Sequence, residues 1–185
     1  LVTKSKDKEA IMSISFDTAP LEIKSHTIIR LPLVISQLLP SRGMVMVEGT
    51  INNIPFQAPL ELDDKESHWF EADESLMEEA SITIGQTISL EIEPISEWKE
   101  PEIPEDIKSI FTETGLINHW DSLTTKARWE WLRWIRSTNN PATRQKRIDV
   151  ACSKFQKGDR RPCCFDSTRC TIPELSKSGV LLDSL

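Results

Sequence analysis

Met44-Val45-Met46-Val47-Glu48-Gly49-Thr50-Ile51-Asn52-Asn53-Ile54-Pro55-Phe56-Gln57-Ala58-Pro59-Leu60-Glu61-Leu62 is the stretch that decides the N-terminal half of the fold. Two apolar runs flank Asn52-Asn53, and Asn tolerates the positive φ that a tight hairpin turn demands. On the return strand Ile54, Phe56, Ala58, Leu60 and Leu62 take one face, and Pro55, Gln57, Pro59 and Glu61 take the other. Proline cannot donate to a strand ladder, so Pro55 and Pro59 place this strand at an edge or a bulged rim.

The same period of two runs outward from the hairpin. Upstream, Met12, Ile14 and Phe16 alternate with serines, and Thr27–Leu31 forms a second short run. Leu33–Leu39 reads as a short helix with Pro32 near its first turn. Downstream, His68–Ala72 is a strand, Asp73 caps a short helix over Glu74–Ala80, and Gly85 turns into a last strand carrying Ile88, Leu90 and Ile92. About six short strands with two helical turns between them predict a small β-barrel, closed or split, over residues 8–95.

Past an acidic, proline-rich linker at 96–104 the period becomes helical. Ile107, Ile110 and Phe111 share a face, and Gly115 stops that helix. Thr124 caps the next, whose apolar stripe is Ala127, Trp131, Trp134 and Ile135. Asn140 caps a third that begins at Pro141, with Ile148, Ala151, Cys152 and Phe155 spaced i, i+3, i+4, i+7 and Gly158 at its end. The expected architecture is therefore α+β: an N-terminal six-stranded barrel with short helices, then a C-terminal three-helix unit within 105–165. Residues 166–185 read as a tail with one apolar patch, Val180-Leu181-Leu182.

Composition narrows the classes of function. With 38% hydrophobic and 28% charged residues in 185, the chain is that of a globular protein in water, and no stretch approaches the ~20 apolar residues of a membrane span. Leu1–Asp7 lacks the apolar run of a signal peptide, and Leu1 is not an initiator Met, so a preceding segment is left open. The four cysteines read as reduced thiols, because Cys163 and Cys164 are vicinal and Cys152 sits at an apolar helical position. A cytoplasmic location is the expectation. Zinc would want paired Cys-x-x-Cys ligands with supporting histidine, so neither metal nor cofactor is expected.

The net charge of −7 hides a split. Residues 1–119 carry 9 basic and 22 acidic side chains, a balance of −13, whereas 120–185 carry 13 basic and 7 acidic, a balance of +6. Opposite charge can dock the two parts on each other. It can also turn the basic part toward an anion.

Two blocks resemble a known tandem. Gly49–Phe56, preceded by Leu31-Pro32, is similar to a small bacterial β-barrel domain of unknown function, of the AbrB-like double-split-barrel type. Leu123-Thr124-Thr125-Lys126-Ala127-Arg128-Trp129-Glu130-Trp131-Leu132-Arg133-Trp134-Ile135, with Thr143-Arg144-Gln145-Lys146-Arg147-Ile148, resembles the YdeI/OmpD-associated, or bacteriocin-protection, domain. The resemblance covers roughly 8–165 and implies a bacterial protein associated with resistance to bacteriocins, with no chemistry attached. The family pattern has Ala-Lys before the third helix and Glu before Thr-Arg, where this chain has Thr138-Asn139 and Ala142.

Arg144 and Arg147 fall on one helix face beside a helix N-terminus, an arrangement suited to an anion. Thr143, Arg144 and Arg147, joined by Arg160 and Arg161, form the candidate anion or partner site, and Trp129, displaced from the apolar stripe, is the candidate exposed or inter-domain aromatic. The competing reading pairs those arginines with acids such as Glu100, Glu102 or Glu105. His26, His68 and His119 are scattered with no nucleophile motif, and no glycine-rich phosphate loop exists, so no catalytic residue is assigned. Cys163-Cys164 beside Arg160 and Arg161 is the one activated-looking group. The expected function is non-catalytic binding of a small anionic ligand or a protein partner. Nucleic-acid binding through the basic helices is the alternative.

Overall fold

The computed structural model describes residues 13–182 apart from Asp64, Glu66 and Cys164. Met12, the domain start at residue 8 and the Cys164 half of the vicinal pair lie outside the described residues.

Seven antiparallel strands form one sheet: β1 (Ile14–Thr18), β2 (Leu21–Ile23), β3 (His26–Arg30), β4 (Val45–Ile51), β5 (Ile54–Leu62), β6 (His68–Ala72) and β7 (Ile88–Pro94), in the order β1-β7-β4-β5-β6-β3-β2. Helix α1 (Leu33–Ser36) follows β3, and α2 (Glu74–Glu79) follows β6. Edge strands β1 and β2 share no ladder among the described residues. The corner between them is tied down where the Thr18 hydroxyl donates to the carbonyl of Arg30 at 2.9 Å. The sheet is thus a curled half-barrel of seven strands, one more than the six or so expected, and helices follow it as the α+β reading predicts. Its inner face buries Ile29, Val45, Val47, Ile51, Leu60, Phe70, Ile88, Leu90 and Ile92, the alternating set that the sequence displays.

The hairpin turns at Asn52 and Asn53 with φ of 47° and 67°, as a type I′ turn requires. Strand β5 is not an edge strand, because it lies between β4 and β6. The prolines are tolerated for a geometric reason. A two-residue turn makes Ile51↔Ile54 a hydrogen-bonded pair, so Pro55 and Pro59 fall at the alternate positions whose nitrogens point away from β4. On that side β6 pairs with β5 only at Glu61 and Leu62, leaving the prolines no ladder to break. Gly49 answers a different constraint. A Cβ there would stand 1.8 Å from the carbonyl oxygen of Glu91 on β7, so the curl of the sheet closes over this position.

The C-terminal part has four helices rather than three: α3 (Glu105–Glu113), α4 (Ile117–Asp121), α5 (Thr125–Arg136) and α6 (Pro141–Gln156). Helix α4 is barely one turn, too short to show a period. Thr124 caps α5 by accepting from the amide of Ala127, and Asn140 caps α6 by accepting from Ala142 and Thr143. Ile107, Phe111, Trp120, Ala127, Trp131, Ile135, Ile148, Ala151 and Phe155 make their common core.

The segment read as a tail is structured. A 3₁₀ turn at Pro173–Leu175 leads into the hairpin β8 (Ser176–Lys177) and β9 (Val180–Leu181). Leu175, Leu181 and Cys170 pack on Ile23, Ile28 and Trp69, covering the outer face of β2, β3 and β6. This is why Thr27, Ile28 and Ile29 are all buried in succession: the sheet has a core on each side there.

Candidate functional site

Helix α5 organises the junction between the half-barrel and the helices, because its residues fall on three faces of one cylinder. Ala127, Trp131, Trp134 and Ile135 face the helical core. Trp129, Leu132 and Arg136, spaced i, i+3, i+7, face a cleft against the sheet. Lys126, Glu130 and Arg133, spaced i, i+4, i+7, face the loop after α1.

The junction is held by a buried charge cluster. Glu61, placed by alternation on the outer face of β5, is 5% exposed because α5 and the C-terminal segment cover it. Its Oε2 lies 3.3 Å from Nη2 of Arg133, its Oε1 pairs with Arg136, and the Thr171 hydroxyl donates to Oε2 at 3.2 Å. Arg136 also donates to Thr171 Oγ1 from Nε at 3.1 Å and from Nη2 at 2.9 Å. Burial pushes the Glu61 pKa up, but Arg133 and Arg136 outweigh it and hold the carboxyl below its ordinary value. Burial lowers the Arg133 pKa, and Glu61 opposes that. Arginine stays charged regardless.

A second buried network fixes the loop after α1. The amide of His68 donates to Ser36 Oγ at 3.0 Å, and the Ser36 hydroxyl lies 2.7 Å from His68 Nδ1. His68 Nε2 donates to the carbonyl of Gly43 at 2.9 Å, so Nδ1 is the acceptor for Ser36. Burial pushes the imidazole pKa down to about 4. Serine and histidine stand as a nucleophile and base would, yet both are fully buried. Their hydrogen bonds hold backbone.

The cleft has a volume of about 570 Å³. Ala58, Pro59 and Phe70 line it from the sheet, Ile107, Leu132 and Ile135 from the helices, and Lys99 to Glu102 from the linker. Arg136 and Arg144 are its arginines.

Of the residues singled out in the sequence, Trp129 and Arg144 both line this cleft. Trp129 donates from Nε1 to the carbonyl of Lys99 at 2.7 Å, pinning the linker. Arg144 pairs with Asp106 in an exposed ion pair. The other residues are not gathered beside them. Arg147 donates to the Trp134 carbonyl and the Ser137 hydroxyl, both at 2.7 Å, and its guanidinium lies over the Trp134 ring. Thr143 is exposed on the first turn of α6. Arg160 donates to the carbonyl of Ser122, and Arg161 lies 3.6 Å from Glu130. Among the linker and nearby acids, Glu100 is bound by Arg128 at 2.7 Å. Cys163 is exposed, whereas burial raises the pKa of Cys152 and Cys170.

Sequence reasoning missed Glu61, Arg133 and Arg136. Their only signal was i, i+3 arginine spacing on a helix otherwise read for its apolar stripe. Among the described residues no group of three or more His, Cys, Asp or Glu is arranged to hold a metal, and no helix is long and apolar enough to cross a membrane.

Two domain models match the chain, one over the half-barrel and one over the helical unit. Residues 17–92 match a domain of unknown function (DUF1905), and residues 100–158 match the bacteriocin-protection, YdeI or OmpD-associated domain. The chain thus carries a YdeI/OmpD-associated domain, with the domain of unknown function at its N-terminal side. No curated protein matches it.

Proposed function

We propose that this chain is a non-catalytic binding protein of the bacteriocin-protection type, and that its ligand is an amphipathic molecule with an anionic group, seated in the cleft beside α5. The observation that carries the reading is the composition of the cleft wall. Phe70, Pro59, Leu132 and Ile135 offer an apolar floor, while Arg136 and Arg144 stand with acids at the rim. Arg144 is available to a ligand. Its partner Asp106 is 53% exposed, and exchanging one solvent-exposed carboxylate for another costs little. Arg147, tied to Trp134 and Ser137, is a structural residue in this reading. Nucleic-acid binding is not carried forward, since Arg147 on α6 is tied to Trp134 and Ser137.

The aromatic sulfonate 1-anilinonaphthalene-8-sulfonate has the required chemistry and tests the reading by fluorescence titration. Saturable one-to-one binding to the native protein is expected, weakened about tenfold by Arg144→Ala and kept or strengthened by Asp106→Asn. Binding that ignores Arg144→Ala, or that follows both substitutions equally, would refute it.

A further inference from the structure

The third face of α5 borders a small, partly open cavity of about 80 Å³. Lys126, Glu130 and Arg133 line it from the helix, Ser41, Gly43 and Met44 from the loop after α1, Trp98 from the linker and Ser167 from the C-terminal segment. The side chain of Arg133 is 1% exposed. Its Nη2 reaches Glu61 and donates to the carbonyl of Arg169 at 3.3 Å, but its Nε and Nη1 are buried with no hydrogen-bond partner among the described residues. The face of the guanidinium rests on the Phe165 ring, 5.3 Å from its centroid, a contact that leaves the in-plane N–H groups unused. A buried donor left unpaired costs about 1–3 kcal/mol, and more when charged.

Charge points the same way. Glu61 pairs with both Arg133 and Arg136, so Arg133 shares its counter-charge. Lys126 adds a second cation to the cavity wall, its ammonium over the Trp98 ring at 5.6 Å. The cavity equals roughly two to three waters in volume, which suits one tetrahedral oxyanion and little more. Glu130 sets a further condition. Its carboxylate, 3.6 Å from Arg161, would repel a fully ionised anion but accept a hydrogen bond from one that keeps a proton.

We propose that this cavity binds a single small oxyanion that retains a proton, of the hydrogen phosphate class. Arg133 and Lys126 supply the positive charge, the Ser41 and Ser167 hydroxyls line the anion, and the hydroxyl of the anion donates to Glu130. The site is on a different face of α5 from the cleft, and neither reading depends on the other.

Calorimetric titration of the full chain with inorganic phosphate, and separately with sulfate, tests it. One phosphate should bind, at least about tenfold more tightly than sulfate, because sulfate has no proton to offer Glu130 near neutral pH. Glu130→Gln should erase that preference. Gly43→Ala is the second variant: its Cβ would stand 3.1 Å from Ser167 Oγ and 3.5 Å from Ser41 Oγ, filling the cavity without changing a charge. Phosphate affinity should then fall at least about tenfold, with Tm in phosphate-free buffer held. The proposal is overturned if neither anion gives a saturable heat, if sulfate binds as well as phosphate, or if Gly43→Ala binds phosphate like the parent.

Discussion

Replacing Glu61 by Gln removes the single carboxylate that Arg133 and Arg136 share. The side chain keeps its volume and still accepts from Thr171, so the change isolates charge. Arg136 is 36% exposed and can turn to water, but Arg133, at 1%, cannot. Breaking a buried pair by removing one partner costs about 3–5 kcal/mol, because the remaining charge is left uncompensated. Most of that is expected here, since two nitrogens of Arg133 already have no partner among the described residues. Urea denaturation at pH 7 followed by tryptophan fluorescence measures it, with Cm falling and m unchanged. The double variant Glu61→Leu with Arg133→Met should be more stable than Glu61→Gln alone, because it removes both buried charges. A loss below about 1 kcal/mol for Glu61→Gln, or a double variant as unstable as the sum of its singles, would refute the reasoning.

Three further outcomes follow from the packing. His68 is held neutral in the fold with a pKa near 4 against an ordinary 6.5, so the unfolded chain takes up the proton first as pH falls. Its contribution, about 3 kcal/mol, is complete above pH ~6.5 and is lost between there and pH ~4. Urea midpoints across that window should show the slope, and His68→Gln should flatten it. Gly49→Ala drives a methyl into the Glu91 carbonyl and should cost about 3 kcal/mol or more, read as a lower Cm. Leu175→Ala, at a fully buried position over Trp69, should cost about 2–5 kcal/mol by thermal or urea unfolding, whereas a dispensable tail would cost nothing.

The hairpin, the caps and the helical period were legible because each is a local signal. Asn52-Asn53, Asp73, Thr124 and Asn140 carry their own hydrogen-bonding logic, and the structure places each where that logic puts it. What alternation could not show is that the outer face of the sheet is covered at one end. Glu61 and Trp69 are buried by α5 and by a hairpin more than a hundred residues away in the chain, and no local pattern encodes such a contact. Helix α5 displays one apolar stripe in the sequence although it has three working faces, because arginines and a glutamate at helical spacing look like a solvated face. The candidate site was legible only in part. Trp129 and Arg144 line the cleft, but Arg133 shares a cavity wall with the distant loop that His68 fastens.

The central claim is that the ligand lies between the half-barrel and α5, and a crystal structure grown with 1-anilinonaphthalene-8-sulfonate tests it most directly. The account predicts the naphthalene against Leu132 and Phe70, with the sulfonate within hydrogen-bonding distance of Arg144. The exposed apolar residues Leu33, Val34 and Leu38 around α1 are the competing surface, and the dye bound there with the cleft empty would contradict the account.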